Sequence, residues 1–297
     1  MSDPFTSGMI EANGASLYYE KRGCGPAVLF ISGAAGDAAD HAPTAELLAA
    51  EFTTVTYDRR GFSRSPWPKG ATWTWVDQQA DDAAALLAGL GLAPAAVYGG
   101  SIGALTGLSL VLHHPTLVTK AILHEPPLMA GLADPREGMA HLREVVAEGK
   151  AKGGLRGGRK AFLHASMGPG NYQAVPADYR RRLLSSAATF LIHEFDRYEW
   201  YRPADAELAA VRRPVMIMAG TASAPFFRPA ADWLAARLST QVVPISGGHT
   251  PQRDRPEEVA ETIRRFLDSR SSPSSTEHSP PSLRMSGSRP AKTNTSS

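Results

Sequence analysis

The stretch "VYGGSIGALTGLSL", residues 97–110, runs from β-forming residues through a glycine cluster around one serine into an Ala/Leu-rich segment of helical character. A strand must give way to a helix there within a few residues. A turn that tight leaves no room for side chains two positions either side of its apex, and Gly99 and Gly103 supply that space around Ser101. The helix then offers its first N–H groups to any negative charge forming beside the serine. "GGSIG" therefore reads as a G-x-S-x-G elbow displaying a nucleophile, with a plain glycine turn as the alternative. With 27 glycines in 297 residues the motif is weak alone, and its context has to carry it.

That context alternates strand and helix signals. "MIEANGASLYYEKRG" predicts a hairpin about Asn13-Gly14. Core strands follow at 27–32, 52–58, 95–100, 118–124, 214–220 and 241–246. Helices are predicted at 44–51, at about 75–90 with Thr74 as N-cap, through "ALTGLSLVLHH" to Pro115, in "AADWLAARL", and after Asp254 as N-cap with Pro256 at the first helical position. Such alternation predicts an α/β fold, a mostly parallel sheet covered by helices on both faces. Reactive groups in such sheets collect at the carboxyl ends of the strands.

Composition sets bounds on what this fold can do. The chain is 43% hydrophobic and 20% charged, enough for a large buried core. No basic start followed by an apolar run opens it and no apolar stretch is long enough to span a bilayer, so no membrane association is expected. Cys24 is the only cysteine, which rules out an intramolecular disulfide and agrees with a cytoplasmic location. The formal net charge is +2, yet residues 269–297 alone carry +3 from Arg270, Arg284, Arg289 and Lys292 against Glu277. The remainder is near −1, which argues against a nucleic-acid surface. The Ser/Pro-rich segment 269–297 is expected to be a disordered tail.

Four loops follow core strands at one rim: "SGAAGD", the elbow, "HEPPL" and "GGHTP". They deliver Ser101, Glu125 and His249 in the chain order nucleophile, acid, histidine, which is the order of the α/β-hydrolase fold. Many such enzymes place the acid in a G-x-x-D pattern after the strand corresponding to 214–220. Here that loop reads Gly220-Thr221-Ala222-Ser223-Ala224-Pro225, without a carboxylate, and Glu125 is the replacement. A triad needs geometry and a buried carboxylate on the histidine, not one sequence position. The second oxyanion donor is expected from "SGAAG", with the N–H of Ala34 or Gly33 pairing with that of Ile102.

The elbow "YGGSIGA", the loop "AILHEPPL", the turn "VTYDRRGFSRS", the loop "GTASAPFF" and the segment "ISGGHTPQRDRPEEVAE" together resemble the zearalenone-lactonase branch of the α/β-hydrolase superfamily. The resemblance spans roughly residues 9–268 and is poor between about 130 and 205. It implies a cofactor-free, metal-free Ser-His-Glu triad: Ser101 as nucleophile, His249 as base and acid, Glu125 as orienting carboxylate. It does not carry over a substrate.

The expected organisation is a hydrolase core over residues 1–125 and 206–268, a helical cap over 126–205, and the tail over 269–297. The cap is rich in rings: Phe162, Tyr172, Tyr179, Phe190, Phe195, Tyr198, Trp200 and Tyr201. With Phe226 and Phe227 in a rim loop, these suggest a bulky apolar or aromatic ester or lactone, with Trp200, Phe226 and Phe227 as substrate contacts; the alternative is that the rings fill the cap's own core. Acyl transfer to another acceptor, thioester cleavage, perhydrolysis with the same triad, and a non-catalytic ligand-binding role stay open, as does a homodimer. "DRRGFSRS" reads as a turn with an internal ion pair, and "GKAKGGLRGGRK" (149–160) as a flexible, solvated segment.

Overall fold

The computed structural model describes residues 5–269, except for 72–74, 135, 168 and 198–199. The expected tail from residue 270 onward, Thr74 and Tyr198 lie outside the described residues. Eight strands form one sheet: β1 (Phe5–Ala12), β2 (Ala15–Arg22), β3 (Ala27–Ile31), β4 (Thr53–Tyr57), β5 (Ala95–Gly100), β6 (Val118–His124), β7 (Val215–Gly220) and β8 (Val242–Ile245). Their spatial order is β1-β2-β4-β3-β5-β6-β7-β8, parallel from β4 to β8, with β1 and β2 antiparallel. This is the α/β-hydrolase arrangement that the sequence predicts. The first hairpin turns at Asn13 and Gly14, both with positive φ.

Every residue of β3, β4 and β5 is buried, as expected of parallel strands covered on both faces. Alternate residues feed two cores. Leu29, Ile31 and Val97 face one, under α2 (Val76–Gly89) and α3 (Ile102–His113). Val28, Phe30 and Tyr98 face the other, closed by α1 (Ala42–Leu48) and a C-terminal helix, Pro256–Asp268, which contributes Val259, Ala260 and Ile263. That helix starts at Pro256, as the sequence suggests, but Arg255 and not Asp254 occupies the N-cap position, and Asp254 ends a separate short turn, Pro251–Asp254. Proline at position 256 cannot donate a backbone hydrogen bond, so it marks the first turn of the new helix. Trp75, not Thr74, stands at the N-cap of α2.

Between β6 and β7 the described chain is helical. Helix α4 (Glu137–Met167) is broken at Gly153 and Gly154 into two arms. The arms touch where Gly149 meets Gly157: a Cβ on Gly157 would sit 2.3 Å from the Gly149 carbonyl oxygen. The stretch 149–160 is thus a helical hairpin packed through glycine, not a flexible segment; its tip is solvated, but Gly149, Gly158 and Arg159 are buried. Next come α5 (Pro169–Ala174), α6 (Ala177–Ser185), a π-helical turn (Thr189–Glu194) and α7 (Asp205–Ala209). Helix α8 (Phe227–Arg237) links β7 to β8.

Candidate active site

The sheet order places the site. β3 and β5 are hydrogen-bonded neighbours, so the loop after β3 and the elbow after β5 emerge side by side. Ser101 sits between strand and helix with φ 55° and ψ −124°, a conformation costly for a residue with a side chain. The flanking glycines are required by contact. A Cβ on Gly99 would lie 2.2 Å from the Gly103 carbonyl oxygen, and one on Gly103 would lie 2.1 Å from the Ile31 carbonyl oxygen. The tightness of the elbow is therefore also what brings α3 against the end of β3.

Glu125 follows β6 directly, with φ 46° and no solvent exposure. Its N–H donates to the Met218 carbonyl of the neighbouring strand at 2.9 Å, which fixes the strained residue in place. One carboxylate oxygen, Oε1, accepts the Gly220 N–H at 2.7 Å; the other, Oε2, lies 2.5 Å from His249 Nδ1. Burial pushes this carboxyl up, but the hydrogen bond from His249 and the imidazole charge near it outweigh burial and hold it below the ordinary carboxylate value. An ionised carboxylate only accepts, so the ring proton sits on Nδ1 and Nε2 is left as a base. Phe227, the first residue of α8, stacks on the His249 ring with centroids 4.2 Å apart and planes 16° apart.

Ser101 and His249 line one cavity of about 60 Å³, together with Gly33, Ala34, Phe162 and Met167. A Cβ on Gly33 would lie 2.9 Å from the Ser101 Cβ, so the β3 loop packs directly on the elbow. Ile102 begins α3, and its N–H has no acceptor within the helix. Of the residues expected to supply the oxyanion donors, Ala34 lies in the loop after β3 and lines the same cavity as Ser101, and Ile102 follows the serine as the first residue of α3.

His124, the last residue of β6, is fully buried with Nε2 3.7 Å from Glu125 Oε2. Burial lowers it to about 4, so it is a neutral ring at physiological pH. His124, Glu125 and His249 are the group among the described residues whose donor atoms come close enough to consider a metal. Glu125 and His249 are in direct hydrogen-bond contact at 2.5 Å, a separation that an ion between them would have to widen.

A half-buried serine at a glycine elbow, a histidine and a carboxylate in this chain order, on this strand order, agree with what comparison with known proteins shows. The chain belongs to the α/β hydrolase family. That family's profile matches residues 28–262. The chain is 31% identical over 268 residues, 88% of its length and 96% of the relative's, to the uncharacterized hydrolase YraK of Bacillus subtilis. Zearalenone hydrolase of Bionectria ochroleuca is 34% identical over 118 residues, 39% of this chain and 45% of that one. The carboxylesterase CesB of Bacillus subtilis shares the fold at a TM-score of 0.70 and 19% identity, over 89% of this chain and 92% of that one.

Within this hydrolase the expected aromatic contacts separate. Phe227 is at the histidine, and Phe226 packs against Phe227 at 4.2 Å. Trp200 is 65% exposed and borders an open groove with Leu191 and Ile192 rather than the cavity that Ser101 lines. Phe162, Phe190 and Phe195 form a cluster with centroids 4.5–5.6 Å apart. Most rings of the insertion fill its own core, so their number does not measure the substrate. In "DRRGFSRS", read as a turn with an internal ion pair, Asp58 pairs with Arg64 at 2.6 Å, while Arg59 reaches Glu194 and the Gly33 carbonyl, contacts the sequence reading did not foresee. No helix among the described residues is long and apolar enough to cross a membrane.

Proposed function

We propose that the chain is a serine hydrolase that cleaves a carboxylic ester or lactone through an acyl-enzyme. The carrying observation is the fully buried Glu125 carboxylate 2.5 Å from His249 Nδ1, on a ring that shares its cavity with the strained Ser101. Ser101 Oγ attacks the substrate carbonyl while His249 Nε2 takes its proton. Glu125 holds the ring in the Nδ1–H tautomer and stabilises the imidazolium. The oxyanion forms between the N–H groups of Ala34 and Ile102. The imidazolium then gives its proton to the leaving alkoxide, and the neutral ring activates water to release the acid.

The helices of 126–205 act as a cap over this site, between core segments 1–125 and 206–268. A cavity of about 60 Å³ is well below the roughly 150 Å³ of an apolar cavity that takes benzene, so a short acyl group enters as the cap stands and a bulky one requires the cap to shift. The test is labelling with a fluorophosphonate probe and turnover of p-nitrophenyl esters of graded acyl length, beside a lactone series. Wild type labels and turns over, with the short esters favoured; Ser101→Ala does neither, its kcat falling by about 10⁴-fold or more. Labelling that survives in Ser101→Ala would remove the assignment.

A further inference from the structure

Among the described residues two arginines are fully buried, and both end on the loop that presents Ala34. Arg59 Nη2 donates to the Gly33 carbonyl at 2.8 Å. Arg159 Nη2 donates to the Ala34 carbonyl at 2.6 Å. Ala34 is thus bracketed, its preceding and its own peptide oxygens each held by a guanidinium. The Gly33 oxygen belongs to the same peptide unit as the Ala34 N–H. A positive charge on that oxygen draws electron density through the amide and makes the N–H a stronger donor. The bond to the Ala34 oxygen fixes the next peptide plane, and with it the direction of the loop.

The arginines are held in different ways. Arg59 forms a bidentate pair with Glu194, at 2.5 and 2.9 Å, and lies over the Phe62 ring at 4.5 Å. Arg159 has no ion pair among the described residues: its Nε donates to the Leu183 carbonyl at 3.2 Å, its Nη1 has no partner, and Phe190 lies beneath it at 4.3 Å. Burial drives the Arg159 guanidinium down to about 9. Glu194 lies near Arg159 but is paired with Arg59, so a buried cation with no ion pair of its own gains little stability from its charge. Arg159 and Glu194 both come from the helical insertion, whereas Arg59 comes from the core.

We propose that Arg59 and Arg159 are positioning residues that orient the Ala34 N–H and strengthen it as an oxyanion donor, and that this donor is fully formed only when the cap is seated. The inference rests on the serine hydrolase reading above. Neither arginine is assigned a contact with substrate, so their effect falls on kcat and not on KM.

The experiment compares wild type with Arg159→Met, Arg159→Lys and the paired replacement Arg59→Met/Glu194→Met, which leaves no buried carboxylate alone. Each is measured for Tm, for kcat and KM with p-nitrophenyl acetate, and for amide hydrogen exchange across residues 32–36. Arg159→Met is expected to match or exceed the wild-type Tm, lose about 10²-fold in kcat at nearly constant KM, and exchange faster across the loop. Arg159→Lys recovers part of the kcat, and the paired replacement loses kcat in the same way. A folded Arg159→Met with kcat within threefold of wild type, or a loss carried by KM, overturns the inference. If Arg159→Met does not fold, the same criteria apply to the paired replacement. A wild type that neither labels with fluorophosphonate nor turns over overturns the hydrolase reading itself, and this inference with it.

Discussion

Replacing Glu125 with glutamine changes one oxygen for an amide nitrogen at the centre of the proposed triad, and the structure dictates which way the new side chain turns. Oε1 of the carboxylate accepts the Gly220 N–H at 2.7 Å, while Oε2 faces His249 Nδ1 at 2.5 Å. The glutamine oxygen must stay with the Gly220 N–H, because an amide NH2 there would leave two donors facing each other. The NH2 then points at His249 and donates to Nδ1. That fixes the opposite tautomer, with the proton on Nε2, and a protonated Nε2 cannot accept the serine proton. The charge is lost as well. At the effective dielectric of about 20 that describes protein sites, a carboxylate about 4 Å from the imidazolium charge is worth about 4 kcal/mol, or roughly 10³-fold. With the tautomer effect added, kcat is expected to fall by about 10³- to 10⁴-fold. Steady-state turnover of p-nitrophenyl acetate, with circular dichroism to establish folding, reads this directly. Asp232→Asn is the control: Asp232 lies on α8, exposed and paired with Arg228 at 2.9 Å, and its loss should cost less than about tenfold. A folded Glu125→Gln with near-wild-type kcat would refute the acid assignment.

Gly103→Ala should destabilise the protein despite alanine's better helix propensity, worth up to about 1 kcal/mol. Its Cβ would lie 2.1 Å from the Ile31 carbonyl oxygen, so α3 must move off β3, an overpacking cost of about 1–3 kcal/mol or more that thermal melting will detect as a lower Tm. Acid should weaken the fold through His124. Burial holds its folded value at about 4 against the ordinary 6.5, so as pH falls the unfolded chain takes up the proton first. Stability is full above about 6.5 and drops by about 3 kcal/mol on approaching pH 4. Burial lowers His41 in the same direction, so urea titrations of wild type and His124→Asn should show a shallower acid slope in the variant, not a flat one. Equal slopes would show that His124 does not contribute.

What was legible in the sequence was what local rules write into it. The parallel strands are short apolar runs, the elbow is a glycine pattern about Ser101, and the hairpin is an Asn13-Gly14 turn. Each depends on residues within a few positions of one another. The helical insertion was expected, but its internal packing was not legible, for the same reason. Its hairpin is made by Gly149 meeting Gly157 across a kink, and its rings pack on each other, while neither leaves a periodic signature. Arg159 sits in "LRGGRK", where a charge run ordinarily means a solvated face. Its contact with Ala34 joins residues 125 apart in sequence, and only the folded chain brings them together.

Glu125 was legible as the proposed acid because an expected carboxylate was missing, and the sheet explains why a residue one strand away lies in reach of His249. β6 and β7 are adjacent and in register, with His124 opposite Met218. A residue just past the end of β6 therefore lies next to the start of the loop that follows β7. Glu125 uses that adjacency twice: its N–H takes the Met218 carbonyl, and its carboxylate takes the Gly220 N–H. The second bond matters for function as well as position, since it occupies one carboxylate oxygen and leaves the other aimed at His249. Positive φ at Glu125 is the cost of turning the side chain back across the neighbouring strand, and a residue there without that task would gain nothing from it. Restoring the acid on the β7 loop, as Ser223→Asp in the Glu125→Gln background, should recover part of the lost turnover, because Ser223 Oγ lies 2.5 Å from where a Cβ on Gly220 would sit, and the Gly220 N–H donates to the Glu125 carboxylate.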